Sequence, residues 1–299
     1  MIIVAGATGD LGGRIVRELA GLGAPVCSLV RAGTSPERMA AIQGEIRTVD
    51  FDDVRATAAA MEGASCVVSA LSGLEPVVLG VQGQLLDAAV QAGVPRLIPS
   101  DFAIDFRKIP PGTNRNLDLR ERFRRRAEQA DIRLTSILNG AFMDMLTGVM
   151  PVIQHRLRSV LYWGSADQPM DFTTIADTAA FTARAAMDND SPRLLNICGD
   201  RVTARDLAQI AGTVRQQPYR VLPAGTIGML GLMIGLAKRV APGKPGDLYP
   251  AWQGMQYMRN LFAGEGMLDT PFDNDRYSGL RWTRVEDVLR EDARWVGKR

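Results

Sequence analysis

A chain of 299 residues with 46% hydrophobic and 23% charged residues has the composition of one or two globular domains, which excludes a disordered, collagen-like or disulfide-scaffold chain. Its 35 basic and 33 acidic residues leave a net charge of +2, too small an excess for a general polyanion binder. Only four of the basic residues are lysines (Lys108, Lys238, Lys244 and Lys298), so arginine is the default cation and most surface arginines carry no message.

Cys27, Cys66 and Cys198 lie in apolar, strand-like runs without metal or redox spacing, and read as buried thiols in a reducing compartment. The first strand is expected to begin at Ile2, with no leader before it. The apolar run Thr226–Ala237 is about 12 residues, short of the roughly 20 that cross a bilayer, and reads as a buried or cleft-lining helix. The chain is expected to be cytoplasmic, with no membrane partner.

Taken in chain order, short β-branched runs at Ile2–Ala5, Pro25–Val30, Glu45–Val49, Ser65–Ala70, Arg96–Pro99 and Arg133–Leu138 predict strands. Helical periodicity fills the gaps at Leu11–Leu22, Pro36–Gln43, Val54–Met61, Val77–Ala92 and Leu117–Ala130. Ser35-Pro36-Glu37 places a capping hydroxyl before a proline at the first helical position. Alternating β and α with continuous apolar strands predicts a doubly wound α/β fold, a parallel sheet covered on both faces. Later segments predict helices at Ile175–Met187, Thr203–Arg215 and Thr283–Glu291, with capping boxes at Thr203/Asp206 and Thr283/Glu286. Leu194–Cys198 reads as another buried strand. Pro218–Ser278, rich in Gly, Pro, Met and aromatic residues, suits a lobe over a cleft better than sheet. The expected division is a dinucleotide-binding (Rossmann) domain over 1–150 and a smaller, mostly helical substrate lobe over 151–299, with segments around 170–200 returning to the sheet.

Directly after the first strand stands Gly6-Ala7-Thr8-Gly9-Asp10-Leu11-Gly12-Gly13, opening a helix at the start of a βαβ unit. Gly6 permits the tight turn, Gly9 lets the backbone approach a pyrophosphate, and Gly12 lets helix pack on strand; Thr8, Asp10 and Leu11 complete the cradle. The helix N-terminus supplies amide donors. At the end of the second strand an NAD-selective protein carries an acid, whereas this chain has Arg31, with Arg38 nearby, cations suited to a 2′-phosphate. The cofactor is therefore read as NADP(H). Arg38 alone fits a solvated helix residue equally well. Asp50, in Asp50-Phe51-Asp52, is placed to meet the adenine edge or to form a plain surface turn.

The GxxGxxG spacing resembles the short-chain dehydrogenase/reductase superfamily, but none of the five tyrosines has a lysine four residues on, so the typical proton-transfer pair is missing. The chain resembles instead the atypical branch of NmrA-like and isoflavone-reductase-like proteins. Val30-Arg31, Ser69-Ala70-Leu71-Ser72, Arg96-Leu97-Ile98-Pro99-Ser100-Asp101-Phe102 and Leu138-Asn139-Gly140-Ala141-Phe142 carry the resemblance over residues 1–150. Asp101 replaces the family's glutamate and Ala103 its glycine. The resemblance implies that Ser69, Ala70, Leu71, Ser72, Ser100 and Asn139 line the cofactor, and that Phe102, Phe142 and Met143 touch substrate. It also implies a catalytic lysine on the helix after the fifth strand, a position that falls on Arg120 here. Arginine keeps the charge and the donors but does not relay protons as lysine does.

Arg120, Arg122, Arg124, Arg125 and Arg126 crowd one helix, yet Glu121–Arg125 and Arg124–Glu128 are pairs four apart, so a solvated face is expected rather than a nucleic-acid surface. The single histidine, His155, has no ligand or nucleophile spacing, and no metal cluster is evident. Met143, Met145, Met229, Met233, Met255 and Met258, with Trp252 and Tyr257, suggest a soft apolar cleft or plain core. Two functions stay open. One is an NADPH-dependent reductase of a carbonyl or activated double bond in a small apolar or aromatic molecule. The other, implied by the NmrA side of the resemblance, is a non-catalytic NADP(H) sensor that binds a protein partner.

Overall fold

A computed structural model describes residues 1–148 and 150–296. Its first half contains β1 (Ile2–Ala5), α1 (Asp10–Gly21), β2 (Val26–Arg31), α2 (Pro36–Ala40), β3 (Glu45–Val49), α3 (Val54–Ala59), β4 (Cys66–Ser69), α4 (Gln82–Gln91), β5 (Arg96–Ile98), α5 (Arg115–Ala127), β6 (Arg133–Leu134) and β7 (Ser136–Leu138). The second half adds β8 (Ala141–Phe142), β9 (Ile153–Gln154), β10 (Ser159–Trp163), β11 (Met170–Thr173), α6 (Ile175–Met187), β12 (Leu194–Asn196) and β13 (Asp200–Val202). It ends with α7 (Ala204–Arg215), β14 (Arg220–Gly225), α8 (Ile227–Val240), α9 (Ala251–Phe262) and α10 (Val285–Val296).

Six strands form one parallel sheet in the order β3-β2-β1-β4-β5-β6. Reversal of strand order between β1 and β4 opens the crevice at which doubly wound folds bind ligands. Thr135 still donates its N–H to Leu97 (3.0 Å), so β7 continues the line of β6, and β12 pairs parallel to β7 as a seventh strand.

The period of two sorts the strands' side chains between two cores. Ile3, Ala5, Cys27, Leu29, Val67 and Leu97 pack with α3, α4 and α5, while Ile2, Val4, Cys66, Val68 and Ile98 pack with α1 and α6. Ile15, Val16 and Leu19 of α1 are fully enclosed, each contributing roughly 1.5–3 kcal/mol relative to exposure. A third core joins β10, β11, α7, α8, α9 and α10. Two small sheets, β8-β11-β13 and β9-β10-β14, support it.

Arg96, only 1% exposed, locks α6 to the sheet by donating to the carbonyls of Ala185 and Ala186 (both 2.7 Å). Those are last-turn carbonyls at the negative end of the dipole, and the Ala185 oxygen also accepts from the Asp188 amide (3.3 Å) and the Ser191 hydroxyl (3.1 Å).

Several local expectations are corrected. The helix after Ser35 stops at Ala40, and the Ser35 hydroxyl caps no amide. The helix expected from Val77 is π-helical over Pro76–Val81 before α4 begins. Thr203 and Asp206 form the capping box, but Thr283 bonds Asp177 rather than Glu286, which pairs with Arg290. Within the stretch expected to avoid sheet, Arg220–Gly225 is strand β14. Most consequential, α8 is neither buried nor enclosed in a cleft. Only Leu230 and Ile234 are buried, while Met229, Leu232, Met233, Leu236 and Val240 are exposed. Its partners α9 and the lobe core cover one narrow side and leave the rest to solvent.

Candidate functional site

The cleft lies at the carboxyl ends of β1, β4, β5 and β7. Gly6 has φ +90°, and a Cβ there would stand 2.6 Å from the Ala70 carbonyl oxygen. A Cβ on Gly12 would stand 2.2 Å from the Gly6 oxygen, so both positions require glycine. Gly9 precedes α1 without offering a side-chain cap, which leaves first-turn amides for a ligand. Asp10 faces the other way, paired with Arg14 at 2.6 Å. Thr8 and Leu11 are half-buried on the same turn.

Arg31 and Arg38 are both exposed, and among the described residues neither has an ion-pair partner. Thr34 stays close by donating its hydroxyl to the Arg31 carbonyl (2.8 Å). Asp50 is exposed and accepts the Asp52 amide (3.1 Å), while Asp52 accepts from Gln84 (2.7 Å), so both carboxylates take part in a turn.

The second wall is held by a residue that sequence reasoning missed. Gln82, 2% exposed at the start of α4, accepts from the Ser69 hydroxyl (2.6 Å) and the Ser100 amide (3.0 Å). It ties the ends of β4 and β5 together, and its place on a helix with a buried face was the only available signal. Ala70 and Leu71 are half-buried at the lip and Ser72 is exposed. At the end of β7, Asn139 is fully buried with neither its oxygen nor its nitrogen bonded. An orphan carboxamide costs about 1–3 kcal/mol, and a ligand's amide would satisfy it.

Of the five arginines clustered on α5, four are paired: Arg122 with Glu75, Arg124 with Glu121 and Glu128, Arg125 with Glu121, and Arg126 with Asp87. Arg120 alone has no acid within ion-pair range among the described residues, and its buried Nε lacks a partner. It is half-buried rather than in bulk solvent, and its charge acts on Asp101 and Tyr257.

Asp101 is 1% exposed, accepts from the Ser136 hydroxyl (2.6 Å) through one oxygen and leaves the other unbonded. Burial pushes its carboxyl above the usual range, against the Ser136 bond and the charges of Arg120, Arg193 and Arg124. Arg193 donates to the same Ser136 oxygen (2.7 Å) beside a cavity of about 70 Å³, large enough for water and too small for a substrate. The Tyr257 hydroxyl is pushed up to about 12 by burial, with the Arg120 charge and Asn116 opposing.

Buried carboxamides hold α9, and with it Tyr257, on the start of α5. Asn114 donates to Asn260 (2.9 Å) and accepts from Gln253 (2.8 Å), while Gln256 accepts the Arg115 amide (3.2 Å).

The apolar candidates divide. Phe142 is half-buried, but Phe102 is 4% exposed in the sheet core. Met143 has no exposed surface and fills the lobe core, so in this conformation it does not face a cleft. Met258 joins it there, Met145 and Met255 pack against that core, and Met229 and Met233 lie on the open face of α8. His155 stands away from the sheet crevice, its Nδ1 2.8 Å from the Tyr219 hydroxyl, and burial holds it below the usual imidazole range.

The NmrA-like family model matches residues 1–218. No curated protein matches the sequence. Among solved structures, AtPrR2 with NADP+ and (+)-pinoresinol is similar over 97% of this chain and 98% of its own, at a TM-score of 0.80 and 20% identity. A leucoanthocyanidin reductase–NADPH complex from Vitis vinifera has a TM-score of 0.79 and 18% identity over 97% and 98% of the two chains. An NADPH-dependent quinone oxidoreductase from Escherichia coli has a TM-score of 0.76 and 19% identity, covering 97% and 99%.

Proposed function

The chain belongs to the NmrA-like family, and from that premise we propose that it is an NADPH-dependent reductase of a small apolar or aromatic molecule bearing a carbonyl or an activated double bond. One observation carries the reading: a glycine turn whose two obligatory glycines bring bare backbone to an uncapped helix N-terminus at the sheet's switch point. That arrangement fits a dinucleotide. Gly6, Gly9 and the first amides of α1 would hold the pyrophosphate. Arg31, assisted by Arg38, would hold a 2′-phosphate, and the orphan carboxamide of Asn139 fits a nicotinamide amide. The similar structures solved with NADP+ or NADPH support this choice of cofactor.

When bound, the nicotinamide supplies the hydride. The chain's own residues orient the acceptor and handle its charge. Arg120, the one member of the Arg120–Arg126 cluster without an acidic partner among the described residues, stabilises an oxyanion developing on substrate, an electrostatic role that needs no proton release. The Tyr257 hydroxyl, protonated at neutral pH as an ordinary tyrosine is, is the candidate proton donor. A second reading, the NADP(H) sensor with a protein partner, is favoured by one observation: arginine stands where the family's reductases carry lysine.

Titrating NADPH and NADH against wild type and Arg31→Asp tests the cofactor site. Wild type should prefer NADPH, and the variant should lose that preference. Equal or tighter NADH binding by wild type would overturn the reading. Aromatic ketones, aldehydes and enones should then drive NADPH oxidation above background, whereas binding without turnover on any of them would favour the sensor.

A further inference from the structure

We infer that the open face of α8 is an interface between two copies of this chain. Met229, Leu232, Met233, Leu236 and Val240 are 52%, 77%, 47%, 60% and 72% exposed. Their spacings of three, four and seven place them on one stripe, opposite Leu230 and Ile234, which are buried against the lobe.

By side-chain size, these five residues present roughly 600 Å² of contiguous apolar surface, the upper limit for a typical monomer. Tyr249, 63% exposed, extends it. Pairing the stripe with itself across a two-fold axis would bury about 1,200 Å² in total, the lower bound of a stable specific interface. A single-helix stripe is self-complementary in the way an isologous contact requires.

Its flanks point the same way. No charged residue lies between Thr226 and Ala237, and Gly228, Gly231 and Gly235 border the stripe. Cβ atoms added at Gly231 or Gly235 would meet nothing within 4 Å, so a partner helix can approach closely there. A helix lying on a lipid surface carries cations along its polar side. Here no cation stands between Thr226 and Ala237; the two of the last turn, Lys238 and Arg239, cluster at one end, and Lys238 lies over the Trp252 ring at 5.0 Å. A second copy suits this face better than a bilayer does.

Sedimentation velocity at micromolar concentration should give wild type the mass of a dimer. Leu232→Glu should halve that mass while leaving the circular dichroism spectrum and melting temperature of the fold unchanged, because the side chain is mostly in solvent. A monomeric wild type, or a variant that stays dimeric, would overturn the inference. Binding of monomeric wild type to phosphatidylserine vesicles would overturn it in favour of a membrane surface. Cross-linking supplies an independent measure, since Cys27, Cys66 and Cys198 are all buried. Leu236→Cys should give a covalent dimer with a short bis-maleimide, whereas Leu157→Cys, at a site 60% exposed on the turn between β9 and β10, should not. Equal cross-linking at the two positions would also reject the interface.

Discussion

Strand β5 carries a buried charged residue near each end, and the two are handled in opposite ways. At the amino end, Arg96 finds two helix carbonyls at 2.7 Å, and its guanidinium closes the last turn of α6. Just past the carboxyl end, Asp101 is equally buried but keeps one oxygen unbonded, and the neighbouring Arg120 keeps an unbonded Nε. Burial of charge thus serves two purposes in one strand. Where both terminal nitrogens are matched to a helix end the charge is a structural rivet, even though the Arg96 Nε, like that of Arg120, has no partner. Where matching is left incomplete, capacity remains for something that arrives later.

The largest effect expected from this contrast is on stability. Arg96→Ala should cost about 3–5 kcal/mol, since it removes two buried hydrogen bonds to the end of α6, leaves the Ala186 carbonyl without its donor and opens a void. Urea denaturation would measure it, and a loss below about 1 kcal/mol would show that the amino-end charge is not structural. The next effect should fall on chemistry alone. Arg120→Ala should lower turnover by about 10²–10³-fold, as removal of an oxyanion donor does, with little change in the denaturation midpoint. Arg120→Lys should retain part of the activity, because the charge survives without the fork. A variant that unfolds instead would erase the contrast between the two ends.

The smallest effect concerns Asp101→Asn. Burial raises the folded-state carboxyl above its unfolded value, so its contribution to stability is full at low pH and is lost as pH rises through the folded value. Asparagine keeps the acceptor for Ser136 and does not ionise. The variant should therefore gain stability relative to wild type as pH rises from the ordinary carboxylate range toward neutrality. Parallel pH–stability curves for the two proteins would mean that burial does not hold the Asp101 carboxyl above its unfolded value.

The parts of the molecule legible in the sequence are those set by local rules. Short continuous β-branched runs and glycine spacing identify β1 to β6 and the turn at Gly6, and the periodicity at Ile175–Met187 matches α6 end to end. What sequence could not reveal depends on partners far along the chain. Ser136 lies 35 residues from Asp101, and Gln82 joins strands on either side of its own helix. The α8 pattern was misread because an apolar periodicity states that a face seeks cover without stating what provides it. In α9 the opposite happened. Gln253, Gln256 and Asn260 look like surface residues, yet all are at most 2% exposed because Asn114 and the start of α5 supply their partners.

The seam between α5 and α9 is closed mainly by Asn114, Gln253, Gln256 and Asn260, side chains that neither gain nor lose a proton. Amide-to-amide bonds are scarcely affected by ionic strength, unlike exposed ion pairs. The lobe should therefore keep its seat on the sheet across a wide span of buffer conditions. A rate that changes with acidity or salt would then report on the groups around the cleft, undistorted by opening of the clamp that carries Tyr257.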